Sequence, residues 1–122
     1  MLINDFYFII EKCITEVGFD VKIKLNSEHQ IFQAHFPGNP ITPGVCILQI
    51  SEELLSNHYN KSLTMVTAKN IKFLNILNPI STNEVWFKIQ LSVYEPSLIK
   101  ASILVEFNSI SFAKISSTYK PE

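Results

Sequence analysis

At 122 residues, 47% of them hydrophobic and 17% charged, the chain has the size and composition of one globular domain spanning residues 1–122, with neither disordered nor fibrous character. A net charge of −1, with no basic patch interleaved with aromatics, argues against a nucleic-acid partner. Two cysteines, Cys13 and Cys46, in no CxxC or Cys/His spacing, argue against a zinc site or disulfide scaffold and read as reduced cytoplasmic thiols, with no metal or cofactor expected.

The apolar opening MLINDFYFII is broken by Asn4 and Asp5 and has no basic flank or small-residue cleavage site, so it does not read as a signal peptide. No stretch approaches the ~20 apolar residues of a membrane span. Phe6 to Val17 is apolar and aromatic enough for a strand. Gly18 marks a turn, after which Val21, Ile23 and Leu25 alternate with Lys22, Lys24 and Asn26, the period of a half-buried strand. Phe32 leads into His35-Phe36-Pro37-Gly38-Asn39-Pro40-Ile41-Thr42-Pro43-Gly44, where three prolines and two glycines dictate one backbone path. From Gly44 to about His58, Ile47, Ile50 and Leu54, with Leu48 and Leu55, recur at helical spacing. That helix is roughly 22 Å long at 1.5 Å per residue, and Asn57 and Asn60 suit its exit.

The rest predicts strands. Met65 to Ile76 ends at Asn78-Pro79. Val85, Phe87, Ile89, Leu91 and Val93 alternate with polar neighbours and Trp86. After a Glu95-Pro96-Ser97 turn, Ile99 to Phe107 alternates again, and Asn108-Ser109 forms a hairpin turn into Ile110 to Tyr119. One helix between two early strands and a run of later ones predicts an α+β fold, a single antiparallel sheet around one central helix.

The loop places an imidazole before the N-terminus of an apolar helix, and HFPGNPITPGV resembles the loop of the hot-dog-fold β-hydroxyacyl-acyl-carrier-protein dehydratases of fatty acid synthesis. Lys69-Asn70-Ile71-Lys72-Phe73 through Asn78-Pro79 is similar to that family's strand after the helix. The resemblance implies a hot-dog fold, a homodimer joined edge to edge or a hetero-oligomer with a related subunit, and removal of water from 3-hydroxyacyl thioesters on an acyl carrier protein in fatty acid or polyene-type lipid synthesis. It implies His35 as the base, suited to proton transfer near neutral pH, and the Gly44 N–H, unpaired at the positive end of a helix, as donor to the thioester carbonyl. Phe36, Pro37, Gly38, Pro43, Val45 and Cys46 become acyl-binding positions, although Cys46 reads equally as a packed, unreactive thiol.

Three departures stand out. Ala34 replaces the usual glycine before the histidine, and Thr42 brings a hydroxyl where methionine is frequent. Gln49 occupies the position of the family's catalytic carboxylate, and an amide donates hydrogen bonds but delivers no proton as a carboxylic acid does. Three accounts follow: His35 shuttles the proton alone while Gln49 holds the hydroxyl or a water; Glu52 or Glu53 reaches the site; or the chain binds acyl thioesters without dehydrating them, beside an active subunit. The plain reading of Glu52 and Glu53 is a solvated helix face. Lys69, Lys72 and Lys100 are candidates for a basic rim toward an acidic carrier, and equally solvated lysines. His29 and His58 suit surface or helix-end roles. Phe73, Leu74, Ile76 and Trp86 are candidates for an acyl tunnel, and a hot-dog thioesterase is a third functional class.

Overall fold

The computed structural model describes residues 1–34, 38–95 and 97–122. Strands β1 (Tyr7–Ile14) and β2 (Gly18–Leu25) precede a short helix α1 (Gln30–Ala34) and the long helix α2 (Gly44–Tyr59). Strands β3 (Leu63–Phe73), β4 (Glu84–Glu95), β5 (Leu98–Phe107) and β6 (Ile110–Pro121) follow. All six strands form one antiparallel sheet in the order β1-β2-β4-β5-β6-β3, leaving β1 and β3 as its edges.

Alternation decides which face is inside. Phe19, Val21, Ile23 and Leu25 of β2, Val85, Phe87 and Ile89 of β4, Ala101, Ile103 and Val105 of β5, and Ala113, Ile115 and Tyr119 of β6 are all buried. Ile47, Ile50, Leu54 and Leu55 of α2 belong to the same core, so the sheet buries its inner face on the apolar stripe of one helix. Asn60, left-handed at φ 54°, ends α2 in a Schellman turn, with the Asn60 N–H on Asn57 O and the Lys61 N–H on Ser56 O. Asn108 and Ser109 are both left-handed, at φ 50° and 66°, and join β5 to β6 as the two-residue hairpin expected.

The expected strands and long helix occur with shifted ends: the first strand is confined to Tyr7–Ile14, and the strand after α2 begins at Leu63 and closes at Phe73. The helix α1 was not anticipated. Its five residues are too few for a periodic signal, and its start depends on the Ile31 N–H donating to His29 Nδ1 at 3.1 Å. Its one buried side chain, Phe32, stacks on Phe6 with ring centroids 4.7 Å apart. The expected turn at Glu95-Pro96-Ser97 includes Pro96, outside the described residues.

Candidate functional site at the mouth of the long helix

Pro43 caps α2 with an extended backbone (φ −63°, ψ 143°) and no side-chain hydrogen bond. Its carbonyl accepts the Cys46 and Ile47 N–H groups. The Gly44 and Val45 N–H groups have no acceptor among the described residues, as the geometry of a helix start requires. They sit where the helix dipole is positive. A cleft of about 350 Å³ opens there, lined by Ile41, Thr42, Pro43, Gly44 and Ile47 on one side and Phe73, Leu74, Asn75, Ile76 and Leu77 on the other. It is an apolar slot ending at unpaired backbone donors.

Glycine at 44 is favoured by a neighbour. A Cβ there would lie 2.6 Å from Phe73 Cζ, so the aromatic ring packs directly on the glycine backbone. Phe73 is itself half exposed. Thr42 is buried and hydrogen-bonds by its N–H to Leu77 O at 2.9 Å, but its Oγ1 finds no partner. Gly38 adopts φ +86°, a conformation that favours glycine.

The remaining sequence candidates are placed unevenly. His35, Phe36 and Pro37 lie outside the described residues. Gly44, Pro43 and Thr42 meet at the cleft. Val45 is 72% exposed and points away from the protein. Cys46 is buried in the core, and burial pushes its thiol pKa up. Phe73, Leu74 and Ile76 line the cleft, whereas Trp86 lies on the outer sheet face with the Lys22 ammonium 5.5 Å from its ring centroid.

Gln49 lies roughly 8 Å along the helix axis from Gly44, at 1.5 Å per residue, and is half buried. Its Nε2 donates to Glu53 Oε2 at 2.9 Å. Here the solvated-face reading of the two glutamates is overturned. Glu53 is only 5% exposed. Its Oε2 also accepts the Leu2 N–H at 2.8 Å, and its Oε1 accepts the Ile3 N–H at 2.8 Å and the Tyr7 hydroxyl at 3.1 Å. Burial, then the Glu53 charge, then that hydrogen bond drive the Tyr7 phenol pKa far above its usual range. Glu52 accepts the Met65 N–H at 2.9 Å and so ties α2 to β3. The physical reason is chain topology: the N-terminal segment passes over this face of α2 and brings donors that no local pattern foretells. The i, i+4 spacing of Gln49 and Glu53 was the one available signal.

The other polar candidates lie outside the cleft. His29 accepts at Nδ1 and therefore donates from Nε2 to Asp5 Oδ2 at 3.2 Å. His58, in the last turn of α2, stacks on Phe19 with centroids 4.0 Å apart. Burial, then Lys12, lowers its pKa. Lys72 stands directly opposite Lys114 on the neighbouring strand, and both border a shallow depression of about 630 Å³ on the outer sheet face. Lys88, farther across that depression, is paired with Glu106 at 2.6 Å. Among the described residues there is no cluster of three or more metal-ligating side chains, and no helix is long and apolar enough to cross a membrane.

The sequence profile of the ApeI-like family, described as ApeI dehydratase, matches residues 11–113. No curated protein matches the sequence. Among solved structures, the dehydratase heterocomplex ApeI:P from Xenorhabdus doucetiae is similar with a TM-score of 0.73 and 16% identity, covering 92% of this chain and 96% of that one. A mutant thioesterase from Pseudomonas aeruginosa gives 0.66 at 12% identity, over 93% of this chain and 82% of the other. The E. coli PaaI protein from the phenylacetic acid degradation operon gives 0.63 at 10% identity, over 95% and 79%. Their shared architecture identifies the fold as hot-dog, α+β.

Proposed function

The chain belongs to the ApeI-like dehydratase family, and from that premise we propose that it dehydrates 3-hydroxyacyl thioesters carried on an acyl carrier protein to trans-2-enoyl thioesters. The observation that carries the reading is the apolar cleft lined by Gly44, whose N–H is unpaired. An acyl chain lies along Phe73, Leu74 and Ile76, and its thioester oxygen accepts from the Gly44 N–H, where a donor is worth about 3 kcal/mol as enolate charge develops. His35 removes the α-proton as general base. Lys72 and Lys114, two adjacent cations, suit an acidic carrier, and the salt dependence of binding reports that attraction.

A second reading is favoured by Glu53. It already accepts four hydrogen bonds, and Gln49 carries no acidic proton. In this reading the chain binds the acyl thioester and a related subunit supplies the acid. The β3 edge, unpaired on one side and bearing the exposed Val66, is the place for either a second copy or that subunit.

The test is turnover of 3-hydroxyacyl and trans-2-enoyl carrier-protein thioesters across chain lengths, by the chain alone and mixed with a family member bearing a carboxylate at the position of Gln49. Turnover alone establishes the first reading, and turnover only in the mixture establishes the second. Absence of both turnover and thioester binding overturns both. Release of free thiol in place of dehydration overturns them in favour of a thioesterase.

A further inference from the structure

We propose that the depression on the outer sheet face binds a soluble phosphate monoester of nucleotide size, its phosphoryl group seated between Lys72 and Lys114. The site is separate from the cleft at the helix mouth and does not rest on the thioester chemistry proposed above. Alternation turns the side chains outward. Ala113 and Ile115 flank Lys114 and are buried, as Ile103 and Val105 flank Leu104 and Phe87 and Ile89 flank Lys88. The strand registers set these residues in one row from β3 to β2: Lys72, Lys114, Leu104, Lys88 and Asp20. Charge along the row is unevenly balanced. Lys88 is met by Glu106 at 2.6 Å and by Asp20 directly opposite on β2. Lys72 and Lys114 have no ion pair among the described residues. The one carboxylate lining the depression is Asp20, which β5 and β4 separate from Lys114. Side chains directly opposite stand about 5 Å apart at Cβ, and two like charges so placed repel. An anion between them removes that repulsion.

The groups around the pair favour phosphate over carboxylate. Ser116 and Ser102 face each other in the next row and bring two hydroxyls. Asn70, in the β3 bulge, brings a side-chain amide. A phosphoryl group carries about two negative charges near neutral pH and three acceptor oxygens, so it engages both ammonium groups and these donors together. A carboxylate has one charge and two oxygens to offer. The depression, about 630 Å³, is of the size that small-molecule ligands occupy. Leu104 and, at the far rim, Val17 supply apolar surface for a ring carried beyond the phosphoryl end. An acidic carrier seated on the same two lysines and this ligand exclude each other.

The probes are adenosine 5′-monophosphate, adenosine and inorganic phosphate, titrated into the intact protein at low ionic strength with no thioester present. Backbone amide NMR reads both affinity and place. The monophosphate is expected to bind with shifts centred on Lys72, Leu104, Lys114 and Ser116, and inorganic phosphate to move the same amides. Adenosine is expected to bind more weakly by on the order of tenfold or more. Lys72→Gln and Lys114→Gln each weaken the monophosphate by on the order of tenfold, and Lys72→Arg retains it. Lys61→Gln removes a lysine from the turn after α2 and leaves the affinity unchanged. All three lysines are exposed, so these variants keep the core intact. An equal loss in all three glutamine variants means diffuse attraction and overturns the proposal. Equal affinities for adenosine and its monophosphate, or shifts centred elsewhere, overturn it too. Binding to vesicles of phosphatidylcholine and phosphatidic acid, without binding to the soluble monophosphate, overturns it in favour of a lipid headgroup. Absence of binding by every probe overturns it while leaving the thioester reading to its own turnover test.

Discussion

Gln49→Glu restores a carboxylate at the position where the resembled dehydratases carry one, and its consequence follows from the neighbour it meets. Glu53 Oε2 lies 2.9 Å from Gln49 Nε2, so the variant places two carboxyl groups in contact at a site where one is almost wholly buried. Two like charges about 4 Å apart at an effective dielectric of about 20 repel by about 4 kcal/mol, equivalent to lifting one carboxyl by about three pH units. From an unfolded value of about 4.3, the carboxyl introduced at position 49 then titrates near pH 7. The sign follows from linkage: a carboxyl whose folded pKa is raised binds more protons in the native than in the unfolded state, so stability falls as pH rises. Below about pH 4 the variant matches the wild type, and above about pH 7 it is less stable by about 4 kcal/mol. Urea midpoints measured for both proteins between pH 4 and pH 8 give the difference directly. The same shared proton makes the pair a general acid near neutral pH, so any dehydration gained by the variant declines above about pH 7. A stability difference that does not change with pH refutes the contact between positions 49 and 53, and with it the proton-sharing argument.

Three further outcomes are expected. Gly44→Ala drives a Cβ into the Phe73 ring; because that ring is half exposed and able to swing, the fold survives with a loss of about 1 kcal/mol, and Phe73→Ala in the same chain recovers it, as a double-mutant cycle by chemical denaturation will show. Thr42→Val removes a buried hydroxyl that has no partner and raises stability by about 1 kcal/mol, read as a higher calorimetric Tm; an unchanged or lower Tm means that the hydroxyl is satisfied in solution. His58, with its pKa lowered by burial and by Lys12, makes the native state resist protonation, so wild-type stability falls on acidification from its unfolded value of about 6.5 toward its lower folded value. His58→Phe keeps the stack on Phe19 and flattens that fall, measured as the slope of urea midpoint against pH.

Local pattern carried most of the architecture. The period-two alternation of β2, β4, β5 and β6, the helical spacing of Ile47, Ile50 and Leu54, and the Asn108-Ser109 turn each depend on neighbours within a few residues, so they are present in the sequence itself. Gly44 at the helix mouth was legible for the same reason, since proline at 43 and an apolar run after it set where α2 begins. What the tertiary structure alone decided are contacts between distant segments. Phe73 reaches Gly44 because β3 returns past the start of α2. Trp86 falls on the outer face and leaves the cleft to Phe73, Leu74 and Ile76. Glu53 changed most, from a surface charge to a buried acceptor, because its donors at Leu2, Ile3 and Tyr7 come from the far end of the chain. Periodicity records which face a residue occupies; whether a charge on that face is hydrated or hydrogen-bonded depends on what packs against it, and that is a property of the folded chain.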